Sequence, residues 1–375
     1  MPEKTIYYEY MLNIARGALL LLLAAVIIHE AEAELPVSTT QSPHILVLDN
    51  CDSDYKVPPF TDSVLFLNSE GKVINQISGL NICQNIGSNR AISASQDGQF
   101  FVVCENVADK ISAYNTSTRN LLWSIQGKYT SAVVAQGIVY ALTSDDTIYG
   151  NGIQAVDRGG EIIKQSTQIN GYDIVIDPNG SFLWVVGDDI KKCDMNLRVI
   201  KVIKAIKWCA VSVDINIDGS IWVAEREHCD VPGSQNRLIK ITQQGTIIRN
   251  IPLEDMSPLC VRVDRSDGNA WVTGIRDREY RKLSFRRWPP GWERAWKYLG
   301  SRTRKYSPQG KLLLELKLGG KSIDIDASDG SVWITDHDTP SLYHYSSKGK
   351  KLGTSENLSH DHKWITILAK KKEGD

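Results

Sequence analysis

The chain has 375 residues, with 43 Lys and Arg against 44 Asp and Glu, 42% hydrophobic and 8% aromatic residues, 28 Gly and 13 Pro. That balance excludes a collagen, a coiled coil, wholesale disorder and a broadly basic nucleic-acid binder. The length fits two ordinary domains or a single repeat architecture, which grows by adding units, so internal repeats come first.

Gly17 to Ile28 is an unbroken apolar run of 12 residues behind Arg16, followed by His29-Glu30 and the small-residue pattern Ala31-Glu32-Ala33. This is the layout of a secretory signal peptide. A membrane-spanning helix needs about 20 apolar residues, more than this run offers. Cleavage is expected after Ala33, which makes 1–33 the signal and 34–43 a short linker. Glu3 and Glu9 are unusual ahead of such a run, and Met11 opens a more compact start, Met11–Arg16. An uncleaved N-terminal anchor is the second reading. The expected location is outside the cytoplasm: periplasmic, cell-surface or extracellular.

From His44 onward the chain repeats at about 40 residues, the range of propellers and solenoids. The plainest copies are Val213–Glu225 (VDINIDGSIWVAE), Val263–Thr273 (VDRSDGNAWVT) and Ile325–Asp336 (IDASDGSVWITD), each a strand, an Asp-Gly turn and a strand. Weaker copies run through Asn179-Gly180 to Trp184 and through Asp97-Gly98 to Val102. Asp-Gly and Asn-Gly supply the positive φ that tight hairpins require. A second signature follows in each unit, an apolar residue and then a turn former: Leu67-Asn68, Tyr114-Asn115, Val156-Asp157, Cys193-Asp194, Ile241-Thr242, Tyr306-Ser307 and Tyr345-Ser346. Gly71, Gly159, Gly245, Gly310 and Gly349 fall in these turns. Asn, Asp, Ser and Thr start turns by bonding their own downstream backbone.

Seven such turns predict seven four-stranded blades. The first unit, opening on His44–Asp49, lacks its first strand. The C-terminal run Trp364–Ala369 looks like a first strand with none to follow, so the two chain ends complete one blade. Closing a ring this way removes the exposed edges on which sheets aggregate. The expected fold is therefore all-β, a seven-bladed β-propeller over 44–375 closed by the C-terminal strand, with a β-solenoid as second choice.

The repeated Asp-x-x-Asp-Gly-x-x-Trp-Val pattern resembles that of NHL-type seven-bladed propellers, a group that includes streptogramin B lyase-like proteins and, with six blades, gluconolactonase- and regucalcin-like proteins. The resemblance covers residues 44 to 375. It implies architecture more than activity, because propellers host hydrolases, lyases and pure binding platforms. It also implies a candidate Ca or Mg ion: gluconolactonase-like relatives hold one with Glu, Asn and Asp, and lyase-like ones add a catalytic His. Those motifs do not match this chain residue by residue. The candidate oxygen ligands are Asp49, Glu105, Glu225 and Asp336, which end second strands in four blades, and hard cations take such ligands. Asp336 with His337, and Glu225, are the candidate acid-base residues. Salt bridges to neighbouring loops are the plainer reading of these acids. Glu225, His228, Cys229 and Asp230 lack tetrahedral metal spacing.

Gly268 to Gly310 spans 42 positions where Gly330 to Gly349 spans 19, so the sixth blade carries an insertion of 23 at about 275–300, between its second and third strands. Between Arg276 and Lys305 lie eleven Lys or Arg and three acids, with Tyr280, Phe285, Trp288, Trp292, Trp296 and Tyr298 among them. Pro289 to Gly300 is predicted to be a short helix, with Pro290 at its start, Gly300 at its end and a Trp292, Trp296, Leu299 stripe. The segment shares a ring face with 50–62 and 226–236, the expected contact surface. Arg286, Arg287, Trp288, Trp292, Arg294 and Trp296 are its candidate binding residues, for an unidentified protein or a small-molecule or carbohydrate ligand. Packing back onto the ring is the plainer alternative. Membrane contact would come only through an uncleaved signal or this segment, nucleic acid is not expected, and a monomer is.

Cys193 falls in an apolar column and is expected to be a buried thiol. Cys51, Cys83, Cys104, Cys209, Cys229 and Cys260 map to the looped face; in an exported chain Cys209–Cys229 and Cys83–Cys104 are the expected disulfides. No phosphate-binding glycine loop, nucleophile elbow or Cys-x-x-Cys pair is present. The expected function is an exported ligand- or protein-binding platform working through its looped face. A metal-dependent lyase or lactonase with an acidic site at the channel mouth is the alternative.

Overall fold

The computed structural model describes residues 44–49, 62–80, 82, 90–105, 108–144, 150–206, 209–226, 235–284, 291–355, 358 and 363–368. The expected signal 1–33, the linker 34–43, the turn after the closing strand, and Cys51, Cys83, His228, Cys229, Asp230, Arg286, Arg287 and Trp288 lie outside them. In chain order the strands are β1 (Ile45–Asp49), β2 (Asp62–Leu67) and β3 (Val73–Leu80) in the first blade, and β4 (Ile92–Ala94), β5 (Phe100–Glu105), β6 (Lys110–Asn115) and β7 (Leu121–Gln126) in the second. The third has β8 (Lys128–Ala135), β9 (Ile138–Ser144), β10 (Gly150–Val156) and β11 (Ile162–Ser166), and the fourth β12 (Asp173–Ile176), β13 (Phe182–Val186), β14 (Ile190–Asp194) and β15 (Val199–Ile203). The fifth has β16 (Cys209–Ile215), β17 (Ile221–Arg226), β18 (Arg237–Ile241) and β19 (Ile247–Pro252), and the sixth β20 (Ser257–Val263), β21 (Ala270–Ser284), β22 (Gly291–Tyr306) and β23 (Leu312–Leu316). The seventh has β24 (Ile323–Ile325), β25 (Val332–Thr335), β26 (Leu342–Tyr345) and β27 (Lys351–Ser355), and β28 (Lys363–Ile367) ends the set.

Each blade is a four-stranded antiparallel sheet, and β28 joins the first in the order β28-β1-β2-β3. The closing register pairs Ile45 with Ile367 and Asp49 with Lys363. The first strands form a closed cycle of neighbours: β4, β8, β12, β16, β20, β24 and β28, the last touching β4 again. This is the seven-bladed ring expected from the repeats.

The turns follow local chemistry. Gly219, in the fifth blade's Asp-Gly turn, has φ 76°, and its N–H closes the turn on the Asn216 carbonyl. In the third blade's outer turn the left-handed residue is Gly160 (φ 88°), while Gly159 donates its N–H to the Asp157 carboxylate. The expected Gly159 is therefore in the turn, but the conformation that demands glycine belongs to its neighbour.

Seven apolar clusters hold the ring, one at each blade-blade interface. Strand alternation feeds both sides of a blade: in β5, Phe101 and Val103 join the cluster with the first blade, and Phe100, Val102 and Cys104 the cluster with the third. Second strands are thus buried on both faces and read as continuous apolar runs. The repeat tryptophans Trp184, Trp222, Trp271 and Trp333 are fully buried in them. Directly opposite on the third strands stand Lys192, Lys240, Lys305 and His344. The three lysine Nζ atoms lie 5.2, 5.4 and 5.2 Å from their indole centroids, and His344 stacks on Trp333 at 4.0 Å.

Ring closure carries a test. Trp364 in β28 is fully buried beneath Lys321, so Trp364→Ala should cost about 3–5 kcal/mol in denaturant unfolding. Truncation before Lys363 bares the β1 edge and should raise the particle mass measured by light scattering above that of the full chain.

Candidate functional site

A first strand pairs on one side with its own blade, and its other edge faces the ring axis, where backbone donors need partners. Side chains of the preceding blade supply them. The Val213 N–H donates to Asp173 (3.0 Å), Val261 to Ser212 Oγ (3.1 Å), Val263 to Asp214 (2.8 Å), Ile365 to Ser322 Oγ (3.3 Å) and Ile367 to Asp324 (2.8 Å). Acids in otherwise apolar strands are therefore bolts between blades.

Those acids gather two arginines. Arg90 donates to both oxygens of Asp173, at 3.0 and 2.9 Å, and reaches within 3.6 Å of Asp214. Burial works against ionisation of Arg262, but the fields of Cys260, Asp173, Asp214 and Asp324 outweigh it and raise its pKa. Burial pushes the Asp324 carboxyl up, against the charges of Arg262 and Arg90 and two backbone donors. Sequence reasoning missed this cluster; the signal was a charged residue inside an apolar strand, as in Ser212-Val213-Asp214-Ile215 and Cys260-Val261-Arg262-Val263.

From this charged cluster a cavity of about 660 Å³ runs to the turns between first and second strands. Its walls include Val133, Val175, Ile176, Ile325 and Ile365, and Asp264, Ser266, Asp326 and Ser328 line its turn end. Apolar walls with a few convergent polar groups are the usual make-up of a small-molecule site. It lies at the end of the ring opposite the second-to-third-strand connections. At its turn end His44 Nε2 lies 2.8 Å from Asp326 Oδ2, linking the seventh blade to the first. Burial opposes ionisation of Asp326, but its bonds with His44 and Ser328 outweigh it and hold the carboxyl below the usual range.

The four acids expected to hold a cation do not converge. Glu105, fully buried, accepts a 2.6 Å bond from Ser112 Oγ and lies 3.4 Å from Lys110 Nζ. Glu225, equally buried, is bound by Arg237 through Nε at 3.0 Å and Nη2 at 2.7 Å. Asp336 accepts from Ser301 Oγ, Thr339 Oγ1 and the Gly319 N–H, and Asp49 stands in register with Ser63 and Lys363. Among the described residues no group of three or more His, Cys, Asp or Glu is arranged to hold a metal ion. This donor set does not fit Ca²⁺ or Mg²⁺, whose ligands must share one centre. His337 Nδ1 lies 3.9 Å from Asp338, and Asp336 accepts from Ser301 and Thr339.

Cys193 is buried, and burial pushes its thiol up to about 12. Cys104, Cys209 and Cys260 are free thiols whose pKa burial raises. The described residues contain no disulfide, and the expected partners Cys83 and Cys229 lie outside them.

The sixth-blade insertion is a β-hairpin, not the expected helix: β21 and β22 pair from Ala270 with Tyr306 out to Ser284 with Gly291. Trp292, Trp296 and Leu299 fit a helical stripe, but Trp292, Arg294, Trp296 and Tyr298 also fit period two, and continuing an existing ladder decides between them. Pro289-Pro290 lies outside the described residues, and the described part of the expected helix, from Gly291 on, is strand. Gly300 (φ 98°) has the left-handed conformation expected of a helix end, yet serves a bulge in which Leu299 and Gly300 oppose Arg276 alone. β20 stops pairing at Ile275 and β23 at Thr303. The eight pairs beyond, Asp277 with Tyr298 through Ser284 with Gly291, extend about 25 Å at roughly 3.3 Å per residue, with no third strand among the described residues. Arg294, Trp292 and Trp296 stand on this arm. Asp255 fixes its base, accepting from Arg304 at 2.8 and 3.0 Å and lying 3.2 Å from Arg276 Nε.

The fold is shared widely. A functionally unknown protein from Desulfotomaculum acetoxidans matches at 12% identity over 88% of this chain and 100% of its own, with a TM-score of 0.62. Hydrazine synthase from Kuenenia stuttgartiensis matches at 14% over 71% and 78%, TM-score 0.56. A streptogramin B lyase matches at 15% over 74% and 85%, TM-score 0.54. What is common at these identities is the propeller. No protein-family model matches this sequence, and no curated protein matches it.

Two tests follow from the axis. Asp173→Ala removes the fully buried carboxylate that Arg90, Ser212 and the Val213 N–H all bond, leaving Arg90 with the more distant Asp214, and should cost about 3 kcal/mol by urea unfolding. The folded pKa of Asp326 lies below its unfolded value of about 3.9. Its contribution is therefore present above that pH and lost as pH falls through the folded pKa. Asp326→Asn should lower the urea midpoint at neutral pH and flatten its acid limb.

Proposed function

We propose that the protein is an exported binding platform whose contact surface is the looped end of the ring, with the β21–β22 arm as its principal element. The observation that carries this reading is the arm itself. A two-stranded ribbon that gains no further strand among the described residues is marginal alone in water, and a sequence of basic and aromatic residues on such a ribbon suits recognition. Export rests on the Gly17–Ile28 run and Ala31-Glu32-Ala33. The metal-dependent lyase or lactonase alternative draws no support from acids each held by a neighbouring side chain or backbone group. The central cavity favours a second, compatible role as a small-molecule pocket, because its apolar walls end on the Arg90 and Arg262 charges.

Photo-crosslinking residues placed at Arg278 and Glu279 on the arm, and at Arg265 and Ser328 at the other end, test the platform reading in intact cell envelopes. Cross-links to a macromolecule from the arm positions alone are expected. Cross-links from neither end, or a stoichiometric divalent ion by calorimetry together with lactone or lyase turnover, would overturn it.

A further inference from the structure

The arm's register narrows what it meets, an inference that rests on the platform reading above. Arg281 stands directly opposite Arg294, and Arg278 directly opposite Lys297. Like charges at facing positions of an antiparallel pair are destabilising, and these two pairs fall on opposite faces of the ribbon. An outside anion between them turns the repulsion into charge-assisted bonding. In the sequence, 276–300 holds eight Lys or Arg and three acids, a net charge of +5, whereas the whole chain is −1; the remainder is therefore at −6. The excess of positive over negative charge therefore falls within 276–300.

Register also gathers the aromatic residues. Leu283 faces Trp292, Glu279 faces Trp296 and Asp277 faces Tyr298, and the Arg281–Arg294 pair lies among them on the same face. Three of the four β22 positions on that face are thus aromatic, with an arginine between two of them. Trp and Tyr settle at the headgroup level of a bilayer, where one end of the ring is dry and the other wet. Basic residues add attraction to an anionic leaflet. Charged ribbon edges also discourage addition of a partner strand. A phosphate layer over hydrocarbon presents the anion and the apolar surface together, spread wide enough for a ribbon of about 25 Å.

We propose that the β21–β22 arm docks on a membrane surface rich in anionic phospholipid. Arg281 and Arg294 take headgroup phosphate, and Trp292, Trp296 and Tyr298 lie at the headgroup level. The mechanism is adsorption to the surface, with no covalent step.

The experiment is co-sedimentation of the full chain, as exported, with vesicles of phosphatidylcholine alone or mixed with phosphatidylglycerol, at low and high sodium chloride. Binding to the mixed vesicles, release by salt and weak binding to phosphatidylcholine are expected. R281E/R294E and W292A/W296A should each lower partitioning by roughly tenfold or more. Their thermal midpoints should match wild type, because these positions lie beyond the last pairing of β21 with β20 and of β22 with β23. A third variant with 277–298 replaced by Asn-Gly guards against misfolding of the arm and should also fail to bind. Absence of binding to the mixed vesicles, binding unmoved by salt, or wild-type binding by all three variants would overturn the proposal. If vesicle binding fails while the arm still cross-links to a protein in the envelope, the lipid assignment falls and the platform reading stands. If the arm also cross-links to nothing, both fall.

Discussion

A propeller must satisfy the inner edges of its first strands. Outer edges face water, but the inner ones face the axis, each with one side of its backbone ladder unmatched. In this chain the preceding blade provides the missing acceptors, with Asp173, Ser212, Asp214, Ser322 and Asp324 each bonding a backbone N–H one blade on. The solution brings carboxylates to the middle of the ring, where unpaired charge is costly. Arg90 and Arg262 balance much of that charge, so the polar core on the axis is a consequence of closing the sheet edges. The cavity begins where this cluster ends.

The same logic repeats radially. The Asp-Gly turn and the tryptophan that follows it are one unit: in the fifth and sixth blades the turn aspartate also neighbours the lysine covering that tryptophan, with Lys305 at 3.2 Å from Asp267 and Lys240 at 4.0 Å from Asp218. Lys305 and Lys240 are nearly buried, which a lysine tolerates when its stem lies on an aromatic face and its head keeps a carboxylate. His344 replaces lysine in the seventh blade by stacking on Trp333. Blades that differ in most positions keep this combination of turn, indole and third-strand cover.

Much of the ring was legible because its signals are local. Asp-Gly turns, turn formers behind apolar residues and complementary chain ends each speak within a dozen residues, and β28 beside β1 is their direct outcome. The axis was not legible, since Asp173 and Arg90 are 83 positions apart and meet only when the ring closes. The arm was misread for a different reason. Trp292 and Trp296 satisfy both helical and strand spacing, and Gly300 suits either a helix end or a bulge. The acids at the second-strand ends were correctly placed along the chain, but position alone does not reveal that Arg237, Ser112 and Ser301 occupy them.

The place of the arm follows from sheet mechanics. β21 and β22 are the two middle strands of their blade, so lengthening both continues a ladder that already exists and adds only a turn. Lengthening an outer strand instead would leave its new residues without a partner. Lengthening at the first-to-second-strand end would crowd the short Asp-Gly turns, where Gly268 lies against Asn216 of the previous blade and Gly330 against Asp264. The bulge at Gly300 sits at the point where the third strand is lost, and bulges increase local twist, so the ribbon is re-aimed as it leaves the blade. Asp255, fixed between Arg304 and Arg276, ties that point to the fifth-to-sixth-blade connection. Burial opposes its ionisation but the bond and charge of Arg304 prevail, keeping the carboxyl below its ordinary range and the clamp charged at neutral pH. A basic, aromatic ribbon is thereby carried at the end of the ring opposite the cavity.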